Sequence, residues 1–527
     1  MAYQGEKVKI PLGELGLLTD IAPDKVPPNA LIRATNVVFT NGCVQKATGG
    51  LRWNETALGA GIVATHHWMP TTITERFIAV TSAGDIYKGQ DRQFGAAINS
   101  SIASVLTPNC VFAEGGAELA ARDKKLFLFT GGATLPYVLQ ADETAFSVIS
   151  QPNIDWTTSG SSFPKFGVVH RNRLWAFAGH ISYASDSGDH ENFQTANLTE
   201  PVYPGQGGEL RGAAVFKGRL FAFKDGGFTY MLNDENSDEA TWYWQQIAAN
   251  FDLAAPNASA EVLDDLMAGN TSGTINSYAA SQKLGNVEAS DIIQQLQFEA
   301  FLRGNTSKVG VQEQHLLYYA EKKILFATYR SAYYNNNDML LMFDFANPNR
   351  VRPAFWIKGS PQCLAKWRDV NKIERPMYGD KDGYLVLMDQ EDRTEGTVAY
   401  TGEFQIPHLD FSFADPRLSS SEKHFDFLAV HYIPESEGNL SCDYFIDGRY
   451  IDTITFPMIQ YERPKLNTML LNTDRLAQPT TETSVRSIAG SGRTFSARFY
   501  NSGSNQSFQI AALTVYFRGG GDKATQE

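Results

Sequence analysis

The sequence predicts an all-β protein whose largest part is a β-propeller. Short runs of alternating apolar residues recur along the chain, joined in pairs by turns containing Gly, Asp or Asn. The pairs begin roughly every 45–50 residues, which is the spacing of four-stranded propeller blades. Aromatic residues make up 12% of the chain, and there are 44 Gly. Both features favour strands linked by tight turns.

About seven of these hairpins fit between residues 55 and 395, and six or eight are also compatible with the irregular middle of the chain. In each hairpin, alternation turns one face inward and the Gly or Asp residues supply the positive φ of the turn. The paired runs are residues 76–80 with 86–87, 125–129 with 137–139, 173–177 with 181–183, 219–223 with 228–230, 266–269 with 274–276, 323–327 with 339–343, and 376–378 with 384–388.

Residues 1–50 differ from the propeller, which we place at residues 51–398. Prolines at positions 11, 23, 27 and 28 prevent regular structure over much of this first segment. We therefore expect an extended N-terminal arm docked on the body.

Residues 255–304 interrupt the hairpin pattern and read as a small, partly helical insertion in the propeller. The apolar spacing over residues 288–302 predicts a helix, and Ser290 is placed to cap it. Such a helix can simply pack over a blade or can bind a partner.

Residues 399–518 predict a second domain, a β-sandwich of jelly-roll-like character. Its runs are longer, and Asp447-Gly448 is a hairpin turn between two of them. The predicted strands are residues 404–413, 424–431, 440–445, 450–456, 494–500 and 508–517. Residues 519–527 are polar and read as a flexible tail.

Charge and composition exclude several classes of protein. The 45 Lys and Arg against 58 Asp and Glu give a net charge of -13, so the chain does not coat nucleic acid or an anionic membrane through its overall field. No apolar run approaches the roughly 18 residues of a membrane span, and the N-terminus lacks the apolar core of a secretory signal. The four cysteines are far apart in the sequence, which predicts reduced, buried thiols and no thiolate zinc site.

Motifs that carry chemistry are missing from the sequence. The nine histidines, at positions 66, 67, 170, 180, 190, 315, 408, 424 and 431, form no HExxH pattern. There is no Gly-x-Ser-x-Gly elbow, no Walker loop, and no GxGxxG after a strand. We therefore predict no enzyme activity, no catalytic, cofactor-binding or metal-binding residues, and no cofactor.

Two features still deserve a functional interpretation. Asp186 and Gly188 match part of the Asp-box turn of propeller sialidases, which is itself a structural turn. Acidic clusters occur at positions 234–235 with 238–239, at 391–392, and at 435 with 437. They are either solvated loops or part of a channel wall along which a polyanion slides.

Three stretches resemble tail proteins of short-tailed bacteriophages. Residues 10–42 are similar to an N-terminal pattern of that family that precedes the first blade. Residues 170–179 and 183–193 resemble its "RLW…YSD-x-GDPENF" hairpin, with His190 in place of the usual Pro, and residues 216–228 resemble the blade that follows. These motifs are turns and strand cores, so they indicate family membership better than they locate an active residue.

The resemblance implies a structural virion protein of the tail nozzle or tail hub, part of the head–tail connector complex. Such proteins form a ring, usually a homohexamer, beneath the portal-adaptor ring. The ring continues the DNA channel, retains the packaged genome, takes part in DNA ejection and anchors fibres or spikes. It follows that genomic DNA passes without sequence-specific binding, and that the chain is made in the host cytoplasm and ends in the virion tail.

Two other classes stay open from the sequence. One is a carbohydrate-binding or glycan-depolymerising propeller tail protein, which would show an exposed cluster of aromatic and carboxylate side chains on one propeller face. The other is a propeller interaction scaffold unrelated to bacteriophages. The propeller itself distinguishes none of these.

Overall fold

The computed structural model is almost entirely β-structure and describes most of the chain. The described residues are 5–519 without 41, 71–73, 117–123, 141, 158–161, 195–197, 250, 252, 280–301, 303, 308–309, 333–336, 348–350, 370, 391–392 and 459–480. The predicted helix at 288–302 therefore lies outside the described residues, except for its last position. The named helices are short: Ile154–Thr157 is α-helical, and Glu239–Thr241, Gly310–Glu313 and Pro416–Ser419 are 3₁₀ turns.

Seven antiparallel sheet units follow one another along residues 62–390 and form a propeller. Six are four-stranded blades, and the fifth unit has three described strands.

The strands of each unit are as follows. Unit 1 contains Ile62–Trp68, Arg76–Thr81, Ile86–Gln90 and Gln93–Phe94; unit 2 contains Val111–Gly116, Lys124–Phe129, Tyr137–Leu139 and Phe146–Val148. Unit 3 contains Phe166–His170, Arg173–Ala178, Ile181–Ala184 and Thr199–Pro201; unit 4 contains Leu210–Phe216, Arg219–Lys224, Phe228–Asn233 and Tyr243–Ala249. Unit 5 contains Ser259–Val262, Asp265–Gly269 and Ile275–Ser277; unit 6 contains Leu316–Tyr319, Ile324–Tyr329, Met339–Asp344 and Arg352–Trp356; unit 7 contains Pro361–Arg368, Glu374–Asp380, Leu385–Gln390 and Gly49–Arg52. The propeller prediction is confirmed, and the blade count is close to the predicted value of about seven.

The ring is closed by a strand from the start of the chain. Gly49–Arg52 precedes unit 1 in sequence but forms the outer strand of unit 7, where Leu51 pairs with Leu387. Apolar side chains fill the space between consecutive units, and Trp53 and Ile62 pack with unit 7 across the closure. Burial of these wedges holds the blades together, because each sheet is apolar on both faces.

Two further sheets pack face to face and form the predicted sandwich. The first contains Glu6–Pro11, Val37–Thr40, Cys43–Lys46, Lys423–Tyr432, Glu482–Ser487, Ser491–Gly492 and Gln509–Gly519. The second contains Arg33–Thr35, Gly402–Gln405, Gly438–Ile446, Arg449–Met458 and Phe495–Asn501. Two-residue strands at Thr394–Glu395 and Val398–Ala399 lie at the domain boundary. The sandwich core is rich in Phe, with stacked rings such as Phe404 on Phe499 and Phe411 on Phe517.

The N-terminal segment is more regular than its prolines predict. It contributes four short strands to the sandwich, and three of its prolines lie in the loop between Pro11 and Arg33. Glu6–Pro11 pairs with the long strand Gln509–Gly519, so the segment is docked on the body of its own chain.

One strand prediction in the sandwich is wrong, and one strand was missed. The strand predicted at 404–413 ends at Gln405, because Pro407 has no N–H to donate and Phe411 adopts a left-handed φ of 64°. The strand Glu482–Ser487 was missed, because five of its six residues are polar and the sequence shows no alternation of apolar residues.

One sheet runs from the propeller into the sandwich. The strand Arg33–Thr35 pairs in parallel with the outer strand of unit 6, where Thr35 lies opposite Phe355. On its other side it pairs antiparallel with Gly402–Gln405 of the sandwich. The resulting sheet has nine strands, so the two domains are joined by backbone hydrogen bonds as well as by side-chain packing.

Candidate functional site

The propeller axis holds a cavity of about 390 Å³. It is enclosed by the inner strands of units 1, 2, 5, 6 and 7 and the residues that precede them. The polar side chains on its wall are those of Thr65, His66, Asn257, Ser259, Glu261, His315, Tyr318 and Lys366. Because a propeller's inner strands converge here, this is the place where a small ligand would meet the protein.

A buried hydrogen-bonded network, here called the crossing, lies in the wall of the cavity. His315 Nε2 lies 2.6 Å from the carbonyl oxygen of Pro108, and its Nδ1 accepts from the N–H of Leu364 over 3.3 Å. Asn257 Nδ2 also donates to Pro108, over 3.1 Å, and to the carbonyl oxygen of Cys110 over 3.0 Å. Unit 7 and the segments that lead into units 2, 5 and 6 are thereby tied together beside the cavity.

The imidazole of this crossing is neutral. Burial lowers the pKa of His315 to about 4, which outweighs the opposite effect of its hydrogen bonds to Pro108 and Leu364. One nitrogen donates and the other accepts, as a single neutral tautomer requires. His315 therefore acts as a structural linker.

The thiols beside the crossing are also unreactive. Cys110 and Cys363 line the cavity, and burial raises the pKa of each thiol to about 12. A thiol protonated at neutral pH is a poor nucleophile and a poor metal ligand. All four cysteines are buried and form no disulfide, as the sequence predicts.

A smaller pocket of about 210 Å³ adjoins the cavity, shares His66 and Lys366 with it, and carries paired charges. His66 Nε2 lies 2.7 Å from a carboxylate oxygen of Glu114, and Lys124 lies 3.8 Å from the same carboxylate. Glu374 pairs with Lys366 over 3.4 Å and with Arg368 over 3.1 Å. Both of these carboxylates are thus engaged with cations, whereas the carboxylate on the wall of the axial cavity itself is that of the exposed Glu261.

No metal centre is formed by the part of the chain that the structure describes. Within it, no group of three or more His, Cys, Asp or Glu side chains is placed to hold a metal ion. The nine histidines are dispersed over both domains, and His66 and His67 lie on opposite sides of one strand, as the sequence predicts.

Residues 170–179, the first half of the tail-like motif in unit 3, form a clamp between two blades. Arg171 and Asn172 adopt φ values of 47° and 58° and form the tight turn between the first two strands of the unit. The carboxylate of Asp234, from unit 4, accepts from His170 Nε2 over 2.6 Å and from Arg171 Nε over 2.8 Å. Asp234 is 1% exposed, so this acidic residue stabilises the fold and does not face a channel.

Residues 183–193, the second half of the motif, contact the preceding blade, unit 2. The buried carboxylate of Glu191 accepts from Lys125 Nζ over 2.7 Å and from Gln140 Nε2 over 2.6 Å, both in unit 2. His190 packs so closely on Gly115 that a Cβ there would lie 2.2 Å from its ring. In the Asp-box-like turn, Asp186 accepts from Asn192 Nδ2 over 2.7 Å. These motif residues hold blades together and form no catalytic constellation.

The acidic clusters divide into buried and exposed members. Glu435 accepts from Gln45 over 2.5 Å and from Ser507 over 2.6 Å, and residues 391–392 lie outside the described chain. Glu235 is 67% exposed at its side chain, and Asp238 is also exposed. An acidic contact with an outside partner would therefore involve the exposed acidic residues. The sequence did not show which acidic residues are exposed.

A second cavity, of about 310 Å³, lies between the N-terminal hairpin and units 6 and 7. Phe39, Phe326 and Trp356 form much of its apolar wall. Asp389 at its rim accepts from Thr48 over 2.8 Å and from Tyr319 over 2.9 Å. Its polar rim is thus engaged internally.

Comparisons with known proteins give the following findings. No family model matches the chain, and no curated protein matches it. Among solved structures it is similar to BBS1N in complex with ARL6DN, soaked with lead (8% identity, TM-score 0.42, 65% of this chain and 98% of that chain). It is also similar to YCF48 from Cyanidioschyzon merolae (9% identity, TM-score 0.40, 65% and 98%) and to the exo-β-1,3-galactanase from Phanerochaete chrysosporium (9% identity, TM-score 0.25, 90% and 100%). In the described part of the chain, no helix is long and apolar enough to cross a membrane.

Proposed function

We propose that the chain is a structural subunit of a bacteriophage tail nozzle or hub, without chemistry of its own. The observation that carries this proposal is the nine-stranded sheet that joins propeller to sandwich. A wall subunit that retains packaged DNA has to resist force between its domains. Arg33–Thr35 is paired by its backbone with a propeller strand on one side and a sandwich strand on the other, which gives a joint between the domains that can resist such force.

The residues that resemble the tail family support the same proposal. In the structure, Asp234 and Glu191 connect unit 3 to its two neighbours through buried, charge-assisted hydrogen bonds. A sequence motif devoted to blade-to-blade contacts suits a load-bearing protein.

The narrow axis gives the proposed ring its geometry. Because the cavity at the propeller axis holds only about 390 Å³, duplex DNA would pass along the central axis of a ring of subunits and not through a single propeller. The chain's net charge of -13 suits a wall from which phosphates are repelled. The proposed partners are further copies of the chain, usually six in all, the adaptor ring above them, fibres or spikes, and the passing genome.

The glycan-binding alternative is less well supported at the axis. A retaining or inverting glycosidase needs two carboxylates that flank a sugar bond. Among the described residues that line the axial cavity there is one carboxylate, that of Glu261, and in the adjoining pocket Glu114 and Glu374 are both bound to cations.

Removal of the chain during phage multiplication tests the proposal. We expect heads that package DNA and then lose it, and that regain stable tails when the wild-type chain is supplied. Tailed, DNA-retaining particles formed without the chain would contradict a nozzle role. Loss of capsule degradation by otherwise complete particles would instead favour the glycan alternative.

A further inference from the structure

The second cavity lies where three parts of the molecule meet, and we call it the junction cavity. On its wall, Val38 belongs to the N-terminal hairpin, Phe326 and Trp356 belong to unit 6, and Met388 belongs to unit 7. An apolar cavity of about 150 Å³ is large enough to accept benzene. The junction cavity measures about 310 Å³, so it has room for a two-ring molecule such as indole.

The walls of the junction cavity are apolar and belong to the core. Ile324, Phe326, Trp356 and Met388 all line it, and each is at most 6% exposed. The rings of Phe326 and Trp356 lie 5.1 Å apart between centroids and are tilted against each other. Core side chains that border a space of this size lack contact partners on one side, and a molecule that fills the space supplies those contacts. The junction cavity is therefore a recess with the properties of a small-molecule site and not a flat patch.

The charged side chains on the wall neutralise one another. Of the described residues that line the cavity, four are charged, and they form two ion pairs. Arg352 Nη2 lies 2.5 Å from a carboxylate oxygen of Asp344, and Lys322 Nζ lies 2.5 Å from a carboxylate oxygen of Asp389. Because neither sign of charge is in excess, the cavity offers no counter-ion to a charged ligand.

The junction cavity has an entrance on the side of unit 6. Lys322 and Ala346 line the cavity and are exposed, whereas the Trp356 ring behind them is buried. A molecule from solution can thus reach the apolar walls past these two residues.

We propose that the junction cavity binds an uncharged, apolar small molecule with a flat ring system. Aromatic walls favour a flat ring as their neighbour. The bound molecule would contact the N-terminal hairpin and units 6 and 7 together, close to the hydrogen bond of 3.1 Å from Trp356 Nε1 to the carbonyl oxygen of Val37. It would therefore stabilise the connection between the propeller and the segment that begins the sandwich. The site stands independently of the tail assignment, since it rests on the cavity alone.

Fluorine NMR of fluoroindole in the presence of the full-length chain tests the proposal. The probe is titrated up to about 2 mM, a range that reveals millimolar affinities. Val38→Phe puts a phenyl ring into the cavity, and Ala346→Phe narrows the entrance at an exposed position. The matched control is Val105→Phe, the same substitution at a side chain that is 69% exposed and lies outside the cavity. A second probe, N-acetyltryptophanamide, carries an indole ring on a peptide backbone.

We expect the wild type and the control to bind fluoroindole with millimolar affinity or better and to unfold at a higher temperature in its presence. Val38→Phe should lose at least tenfold in affinity and unfold no earlier than the wild type, because the added ring takes up space that no side chain occupies. Ala346→Phe should also bind the probe more weakly. N-acetyltryptophanamide should bind less well than fluoroindole, because the charged groups on the wall are already paired and its amides would lose their water.

Four results would overturn the proposal. The wild type could leave the fluoroindole signal unchanged, or the control could lose affinity as much as Val38→Phe does. Wild-type affinity in both Val38→Phe and Ala346→Phe would place the probe elsewhere on the molecule. Binding of N-acetyltryptophanamide at least as tight as that of fluoroindole would assign the cavity to an anchor side chain of a protein partner.

Discussion

The backbone N–H of Asn36 donates to the carbonyl oxygen of Phe355 over 2.6 Å, which fastens the N-terminal segment to propeller unit 6. The side chain of Asn36 continues the joint, since Nδ2 donates to Thr401 over 2.8 Å and Oδ1 accepts from the N–H of Ile357 over 2.9 Å. With a φ of 51°, this residue adopts a left-handed conformation that Asn tolerates better than most residues. One buried side chain thus bonds the propeller to the segment that begins the sandwich.

Replacement of Asn36 should weaken this joint. Asn36→Ala removes both side-chain hydrogen bonds and puts a Cβ-bearing residue without local polar contacts at a positive φ, so we expect a loss of about 2–4 kcal/mol in the free energy of unfolding. Asn36→Gly relieves the φ penalty and should lose less. Urea denaturation measures both variants. Equal stability of Asn36→Ala and wild type would show that the joint does not depend on this side chain.

The Asp234 clamp should contribute far more than an exposed ion pair of the same loop. Asp234→Ala leaves His170 and Arg171 without their buried acceptor, and we expect a loss of about 3–5 kcal/mol. Glu235→Gln, which disrupts the exposed pair with Arg219, should cost less than about 1 kcal/mol. Thermal unfolding of the two variants measures the difference. Similar losses in both would contradict the assignment of Asp234 as a blade clamp.

Acid should destabilise the propeller through its buried histidines. Burial lowers the pKa of His315 and of His67 to about 4, whereas an unfolded histidine titrates near its ordinary value of 6.5. Between these values the unfolded state binds protons that the folded state does not, so stability falls as the pH drops from 6.5 to 4 and is unaffected by these groups above 6.5. Each histidine contributes at most about 3 kcal/mol to this loss.

The variant His315→Gln separates the two contributions. Glutamine can still donate and accept at the crossing but does not titrate. We expect a flatter stability curve between pH 6.5 and 4 than in the wild type, with the remaining slope due to His67 and other groups. An unchanged slope would mean that His315 is not buried as a neutral imidazole.

Lys46 should give a pH dependence of the same sign at alkaline pH. Its amino group is fully buried in the sandwich, donates to Asn501 Oδ1 over 3.1 Å, and has its pKa lowered to about 8, chiefly by burial. Between pH 8 and its unfolded value of 10.5, the unfolded state carries the extra proton, so stability relative to Lys46→Met should rise by up to about 3 kcal/mol with pH. Paired urea denaturation curves at pH 7.5 and 10 test this. A difference between wild type and variant that does not change with pH would contradict it.

The hairpins of both domains could be predicted because local signals determine them. In the sandwich, both residues of the Asp447-Gly448 turn have positive φ. In the propeller, the seven predicted hairpins coincide with observed strand pairs, since alternation and turn chemistry act over a few residues. The prolines of the first segment led us to predict too little structure there. Glu6–Pro11 and Arg33–Thr35 pair with strands far away along the chain, and such pairing leaves no local pattern. The hairpin of Val37–Thr40 with Cys43–Lys46 is local and was missed.

The sites were less predictable than the fold. Nothing in the sequence marks His315 as the residue that links segments around the axial cavity, because its partners Pro108 and Leu364 are far away along the chain. The acidic cluster at 234–239 was visible, but the burial of Asp234 and the exposure of Glu235 depend on the packing of units 3 and 4. Of the stretches that resemble tail proteins, residues 170–193 make contacts between blades, and residues 10–42 contribute strands to the sandwich.

Immunogold electron microscopy of density-purified particles, with an antibody raised against the recombinant chain, tests the tail assignment most directly. We predict label at a single vertex of each particle, at the short tail. Intact particles without label, with the antigen free in the lysate, would contradict the assignment and leave the glycan-binding and scaffold hypotheses.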